Sequence, residues 1–249
     1  MRKIGVLAFN SFWENIGNRV FILVLVFGGI LIYFSLILGA LAVDQEIRVL
    51  MDVGLGLIEM IVLSATLYAS ATLFLREIET KTIYLILARP LTRFEYLIGR
   101  FLGLLLSSLL AILMMAAIHI FLLLTKGWHW HASYLVDLCG IFLKIMIAMA
   151  LAVFFALIST SAIAAILFSG SLWALGHFIP EMRFMAFQSG VRSSLFLNVI
   201  IRLIPNFQII NWQDHLPTLA FIWGGVLYAF SYSAACLLMS WAILRKKEF

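Results

Sequence analysis

Charge is scarce in this chain. Asp, Glu, Lys and Arg supply 12% of its 249 residues, where a soluble globular domain carries roughly 25%. Hydrophobic residues supply 64%, which defines the fold class as an all-α integral membrane protein. Cysteine occurs twice. Cys139 is placed near the outer end of one span and Cys236 in the inner part of another, which argues against a disulfide. No cysteine spacing of the zinc type exists. The phosphate loop G-x-x-x-x-G-K-[ST] is missing, so the chain is not expected to hydrolyse ATP, and H-E-x-x-H is missing too. There are no internal repeats. The net charge of +5 lies beside membrane-spanning runs, which points to a lipid surface and not to nucleic acid.

What fills the chain is long apolar runs. Residues 1–19 are not read as a signal peptide: Arg2 and Lys3 suit one, but Asn10, Glu14, Asn15 and Asn18 interrupt the apolar stretch it needs. Phe9, Phe12, Trp13, Ile16 and Val20 share one helical face, which predicts an amphipathic helix in the membrane interface. Six transmembrane helices are predicted over residues 20–43, 53–75, 101–124, 138–158, 162–179 and 218–244, within a single domain, 1–249. The first run is about 36 Å long as a helix, enough to cross. Residues 138–179 would make a helix of about 63 Å, so a turn is placed at Ser159, Thr160 and Ser161. Residues 180–217 hold scattered charges and short apolar runs. They predict one or two helices lying at the outer face, broken near Gly190 and Pro205.

The charge that exists is concentrated. Residues 76–100 hold five of the seventeen Lys and Arg residues, plus Glu77, Glu79 and Glu95. Leu75, Ile78, Thr82, Leu85 and Ile86 fall on one helical face, so residues 77–88 are predicted helical. Glu77 and Glu79 sit where carboxylates favour a helix N-terminus. Lys81 favours helix at its position. Pro90 ends the segment, and a second helix restarts around Thr92. Gly99 and Gly103 form a small-xxx-small pair that permits close helix approach.

Arg76, Glu77, Glu79, Thr82, Ile86, Leu87, Pro90, Arg93, Glu95, Gly99 and Arg100 stand at spacings that resemble the loop of ABC-2 type permeases, the membrane subunits of one class of ABC exporters. Lys81 departs from a common Gly, and Arg100 replaces a Lys. The tripeptide Pro205-Asn206-Phe207 and the basic ending from Arg245 to Phe249 are similar to relatives of that family. The resemblance implies that the segment between spans two and three is a cytoplasmic coupling helix docking on a separate ABC ATPase. Glu77, Ile78, Glu79, Lys81, Thr82, Leu85, Ile86, Arg89, Pro90 and Arg93 would form that contact. It also implies pairing with a second copy or a similar permease, a bacterial plasma (inner) membrane, and no cofactor in this chain, with ATP and Mg held by the partner. The function implied is a permease exporting an amphiphilic, lipid-like or peptide substrate. The alternative is a membrane anchor that couples an ABC ATPase to mechanical or signalling work.

A few polar residues interrupt the spans. Glu59 and Lys144 each lie about 10 Å inside the outer boundary, and intramembrane charges pair or face a cavity. Either they pair or flank a common polar cavity, or Lys144 snorkels outward and Glu59 is protonated or solvated. Ser169, Ser171 and His177 raise an intramembrane protease reading that no motif supports. Trp128, His129, Trp130 and His131 read as an interfacial belt and not as a metal site, since no third ligand accompanies the two histidines.

With both termini and the 76–100 loop inside, eleven Lys and Arg residues face the cytoplasm and five face out. Single cysteines at Thr82 and Lys247 are therefore expected to react with membrane-impermeant reagents only from the cytoplasm, and cysteines at Trp130 and Ser193 only from outside. Labelling of position 247 from outside would sink the six-span topology.

Overall fold

Each long apolar run becomes a helix, because a backbone surrounded by hydrocarbon must satisfy its own hydrogen bonds. The computed structural model describes residues 2–41, 45–81, 91–188, 203–212 and 218–246. In chain order these form α1 (Arg2–Ile16), α2 (Arg19–Leu41), α3 (Glu46–Glu79), α4 (Arg93–Thr125), α5 (Ser133–Ile158), α6 (Ala162–His177), α7 (Ile179–Gln188), a 3₁₀ turn (Phe207–Ile210) and α8 (Leu219–Lys246). Among the described residues, α2, α3, α4, α5 and α8 are long and apolar enough to cross a membrane. α6 and α7 pass the same test only as a pair, bent by 65° at their junction. The protein is thus a multi-pass helical bundle of five candidate spans, or six if the bent pair is one.

The helices outrun the predicted spans. α3 begins at Glu46, so Glu46, Arg48 and Asp52 lie on its first turns, ahead of the predicted start at residue 53. Extending an existing helix costs far less than nucleating a new one, so a span continues past the hydrocarbon. The expected fifth span, 162–179, ends at His177 instead. Pro180 has no amide to give the Gly176 carbonyl, so the chain breaks and restarts with Pro180 in the first turn of α7. The turn at Ser159–Ser161 separates α5 from α6, with the Ser159 hydroxyl accepting from the Ser161 amide at 3.1 Å.

α1 packs lengthwise on α4 through Leu7, Ala8 and Ser11. Gly99 and Gly103 supply the clearance: a Cβ on Gly99 would lie 2.7 Å from a Leu7 methyl, and one on Gly103 would overlap Ser11 and the Ala8 carbonyl. The two glycines thus receive the N-terminal helix and not another span. The aromatic face of α1 turns away from the protein, with Phe9 and Trp13 exposed.

At the opposite end from the termini, residues 203–212 are inserted between α5, α6 and α8. The expectation of helices resting on the outer face fails for this stretch; residues 189–202 and 213–217 lie outside the described set. Three glycines open the space. Gly140 admits the Ile210 carbonyl, Gly225 admits Trp212, and Gly176 admits Pro205 and Phe207. Phe207 and Trp212 are buried, since an aromatic side chain is stabilised by leaving water. The Asn206 amide donates to Tyr228 Oη at 2.7 Å, and Tyr232 Oη donates to the Leu203 carbonyl at 2.9 Å.

Near the same end His119 of α4 is fully buried, bonded to Tyr134 Oη at 2.8 Å and to the Leu50 carbonyl at 3.1 Å. Its ring occupies the space above Gly54, where a Cβ would overlap it. Gly54→Ala is expected to lower stability by ~1–3 kcal/mol through overpacking, read as a drop in Tm in detergent. His119→Ala should relieve that clash, so the double variant should lose less than the two single losses added together.

Candidate functional site

The 76–100 loop is held at both ends. α3 stops at Glu79, Thr80 caps it, and Lys81 adopts φ 56°. The predicted continuous helix over residues 77–88 therefore breaks at Lys81, and the expectation that Lys81 favours helix is corrected. Its left-handed backbone is the conformation glycine adopts freely at a helix C-terminus, which accounts for the common Gly there in similar loops. Thr82, Leu85, Ile86, Arg89 and Pro90 lie outside the described residues. The chain re-enters helix at Thr92 through a reciprocal cap. The Glu95 amide donates to Thr92 Oγ1 at 3.2 Å, and the Thr92 amide donates to Glu95 Oε2 at 2.8 Å.

The charged residues flanking this loop are largely committed internally. Glu77 is buried, accepts from Tyr96 Oη, and forms an ion pair with Arg100. Arg100 is 4% exposed and also donates to Glu14 Oε2 at 2.8 Å and to Ser11 Oγ at 2.9 Å. One guanidinium thus ties α1, α3 and α4 together. Its planar fork suits two carboxylates at once, which a Lys at this position would not reproduce. Arg93 donates to the carbonyls of Leu244 and Arg245, at 2.6 and 2.9 Å. These belong to the last turn of α8, where a cation complements the helix dipole. Ile78 is partly buried against the core. Of the residues expected to face a partner, Glu79 and Lys81 are exposed; Glu77 is turned inward, because leaving Arg100 unpaired in an apolar setting is the costlier arrangement.

A second polar cluster lies deeper. Lys144 Nζ of α5 is 2.8 Å from Glu59 Oε2 of α3, and both side chains are buried. His177 Nε2, at the end of α6, approaches Glu59 Oε1 at 3.5 Å, and Lys144 donates to Asn211 Oδ1 at 3.4 Å. His177 is fixed by stacking on Phe207 and by Nδ1 bonding the Trp173 carbonyl at 2.9 Å. One cluster thus connects α3, α5, α6 and the inserted 203–212 segment. His177 and Asn211 were not legible as members: they lie 33 to 152 positions away from Glu59 and Lys144, and only the polarity of Asn211 in an apolar stretch marked it.

Other sequence candidates do not come together. The Ser169 hydroxyl donates to the Ala165 carbonyl at 2.7 Å, while His177 bonds elsewhere. His131 Nδ1 is 2.6 Å from the His129 carbonyl, and Trp128 is buried against Tyr134. Among the described residues no three metal-ligating side chains converge. Cys139 and Cys236 are both free.

A bundle of apolar helices, with its charge gathered in one anchored loop, defines a multi-pass membrane protein. A family model described as ABC-2 family transporter protein matches residues 40–183. That is more than half of the chain, and the chain belongs to this family. The matched stretch contains the whole 76–100 loop and both members of the Glu59–Lys144 pair. No curated protein matches the chain.

Removing one partner of a buried ion pair leaves the other charge uncompensated, at roughly 3–5 kcal/mol. Glu59→Gln and Lys144→Met are each expected to reduce folded yield and Tm, and the double variant should recover part of the loss. Strictly additive losses would show that the two charges do not act on each other.

Proposed function

We propose that this chain is the transmembrane permease subunit of an ATP-driven exporter, working with a separate ABC ATPase and a second permease copy or homologue. Membership of the ABC-2 transporter family supports the permease role and, in general, association with an ABC ATPase. The finer reading has six spans, with the bent α6–α7 pair as the fifth. Both termini and the 76–100 loop face the cytoplasm of a bacterial plasma membrane, in line with the excess of Lys and Arg on that side. The substrate proposed is amphiphilic, lipid-like or peptidic, given spans with few polar side chains.

The anchoring of the loop carries this reading. A docking segment can move spans only if its attachments are stiff. Here the Glu77–Arg100 pair joins its two ends, Glu14 adds α1, and Arg93 grips the last turn of α8. A push on the loop therefore reaches four helices at once. Glu79 and Lys81 offer exposed charge for register, and Thr82, Leu85 and Ile86 are proposed as the apolar contact.

Glu79→Lys with Leu85→Asp is expected to leave the protein inserted while abolishing co-purification of the ATPase or uncoupling its turnover. Shortening Trp130 and His131 should leave association intact. Pull-down of the ATPase together with its hydrolysis rate, variant against parent, decides it: normal association and coupled transport by the double variant would mean the docking element lies elsewhere. ATPase stimulation without any substrate movement would favour the anchor role.

A further inference from the structure

A cleft of about 550 Å³ lies beneath the C-terminal end of α1, between it, α3 and the start of α6. This volume is within the range of small-molecule sites, roughly 300–1,000 Å³. Its lining is of two kinds. Ala69, Leu73 and Ala162 are apolar; Asn15, Arg76 and Glu79 are polar. Asn15 is 4% exposed, and its side-chain Nδ2 has no hydrogen-bond partner among the described residues. A buried amide donor without an acceptor is destabilising, and native proteins rarely tolerate one unless something else completes it. Arg76 and Glu79 stand exposed at the rim, and neither forms an ion pair among the described residues. The Glu14 carboxylate, half exposed, borders the same space.

These groups are complementary to one kind of ligand. The Asn15 donor and the Arg76 guanidinium require an anionic oxygen group, and planar guanidinium suits phosphate. Glu79 calls for a cation with N–H groups, and Glu14, whose Oε2 already accepts from Arg100, borders the same space. The apolar wall requires hydrocarbon. The depth is that of a membrane surface, since α1 turns Phe9 and Trp13 outward on its other side, as aromatic side chains do at a lipid headgroup layer. We propose that this cleft binds the headgroup of a zwitterionic aminophospholipid from the leaflet on the side of the termini. The phosphate meets Asn15 and Arg76, the ammonium meets Glu79 and Glu14, and the first part of an acyl chain lies along Ala69 and Leu73. The site does not depend on that lipid being the transported substrate or on where the ATPase docks.

The test uses the full chain in detergent, with lipid retention read by native mass spectrometry and stability by Tm. Phosphatidylethanolamine and phosphatidylglycerol are offered in equal amounts, since both carry the phosphate and only the first carries the ammonium. Phosphatidylethanolamine should be retained about tenfold over phosphatidylglycerol, the worth of one charge-assisted hydrogen bond, and should raise Tm. Asn15→Leu and Arg76→Gln should each remove most of that retention. Without lipid, Asn15→Leu should be at least as stable as the parent, because the orphan donor is gone. Arg76 is exposed, so Arg76→Gln keeps the test open if Asn15→Leu folds poorly. Arg48→Gln, at the opposite end, should leave the preference unchanged. Equal retention of the two lipids, retention indifferent to both cleft variants, or loss of preference in Arg48→Gln would overturn the proposal. Equal protection by soluble phosphorylethanolamine would overturn the lipid assignment in favour of a soluble ligand.

Discussion

Arg100 is the constraint on which one end of this bundle depends. A guanidinium buried among apolar helices must be surrounded by acceptors, because its desolvation is otherwise uncompensated. It recruits Glu77 from α3, Glu14 and Ser11 from α1, and Tyr96 joins through Glu77. The fold around it follows. α1 must lie close along α4 for Glu14 to reach, and that approach requires the bare backbone at Gly99 and Gly103. The start of α4 must sit beside the end of α3, which brings the two ends of the charged loop together. Arg93, about two turns before Arg100, then meets the end of α8.

The far end is organised on the same principle with different groups. Glu59 and Lys144 neutralise each other across α3 and α5; Asn211 accepts from Lys144, and His177 approaches the second Glu59 oxygen at 3.5 Å. What differs is the packing partner. Here it is an irregular segment, residues 203–212, whose aromatic side chains are admitted by Gly140, Gly176 and Gly225. Irregular backbone at this depth requires cover from protein and polar groups to bond. Tyr228 and Tyr232 supply some of these, and Gln208 donates to the His177 carbonyl. The two polar clusters, one at the C-terminal end of α3 and one near its middle, make that helix the common strut of the bundle.

The hydrophobic runs made the helices readable, because a span leaves no alternative to intrahelical hydrogen bonding. The turn at Ser159 and the restart at Thr92 were readable for a local reason: both are set by side chains within three residues of the break. The stop at Lys81 was misread. Propensity favours Lys in a helix, yet the structure uses it in a left-handed conformation, and the departure from glycine was the signal. Long-range pairs were only half legible. The rarity of Glu59 and Lys144 marks them, but His177 joins them through a bend that Pro180 creates, and Glu14 reaches Arg100 from a helix whose aromatic pattern gave no hint of its buried polar edge. Periodicity shows which face of a helix is apolar; it does not show that α1 would bury its small, polar face against protein and leave the aromatic one outside.

α6 is too short to cross alone, and only with α7 does it make the bent candidate span. Its sixteen residues measure about 24 Å along the axis, against a hydrocarbon layer of about 30 Å. Where the bent pair serves as the proposed fifth span, lipid beside α6 would meet a hydrophobic belt several ångströms too low. The bilayer there would have to dimple, or the neighbouring chains tilt, at a fraction of a kcal/mol for each ångström. In that arrangement the break at Pro180 would draw the aqueous boundary down toward His177 and the Glu59–Lys144 pair. A charge cluster that counts as intramembrane along α3 would then lie, on the α6 side, within a turn or two of water.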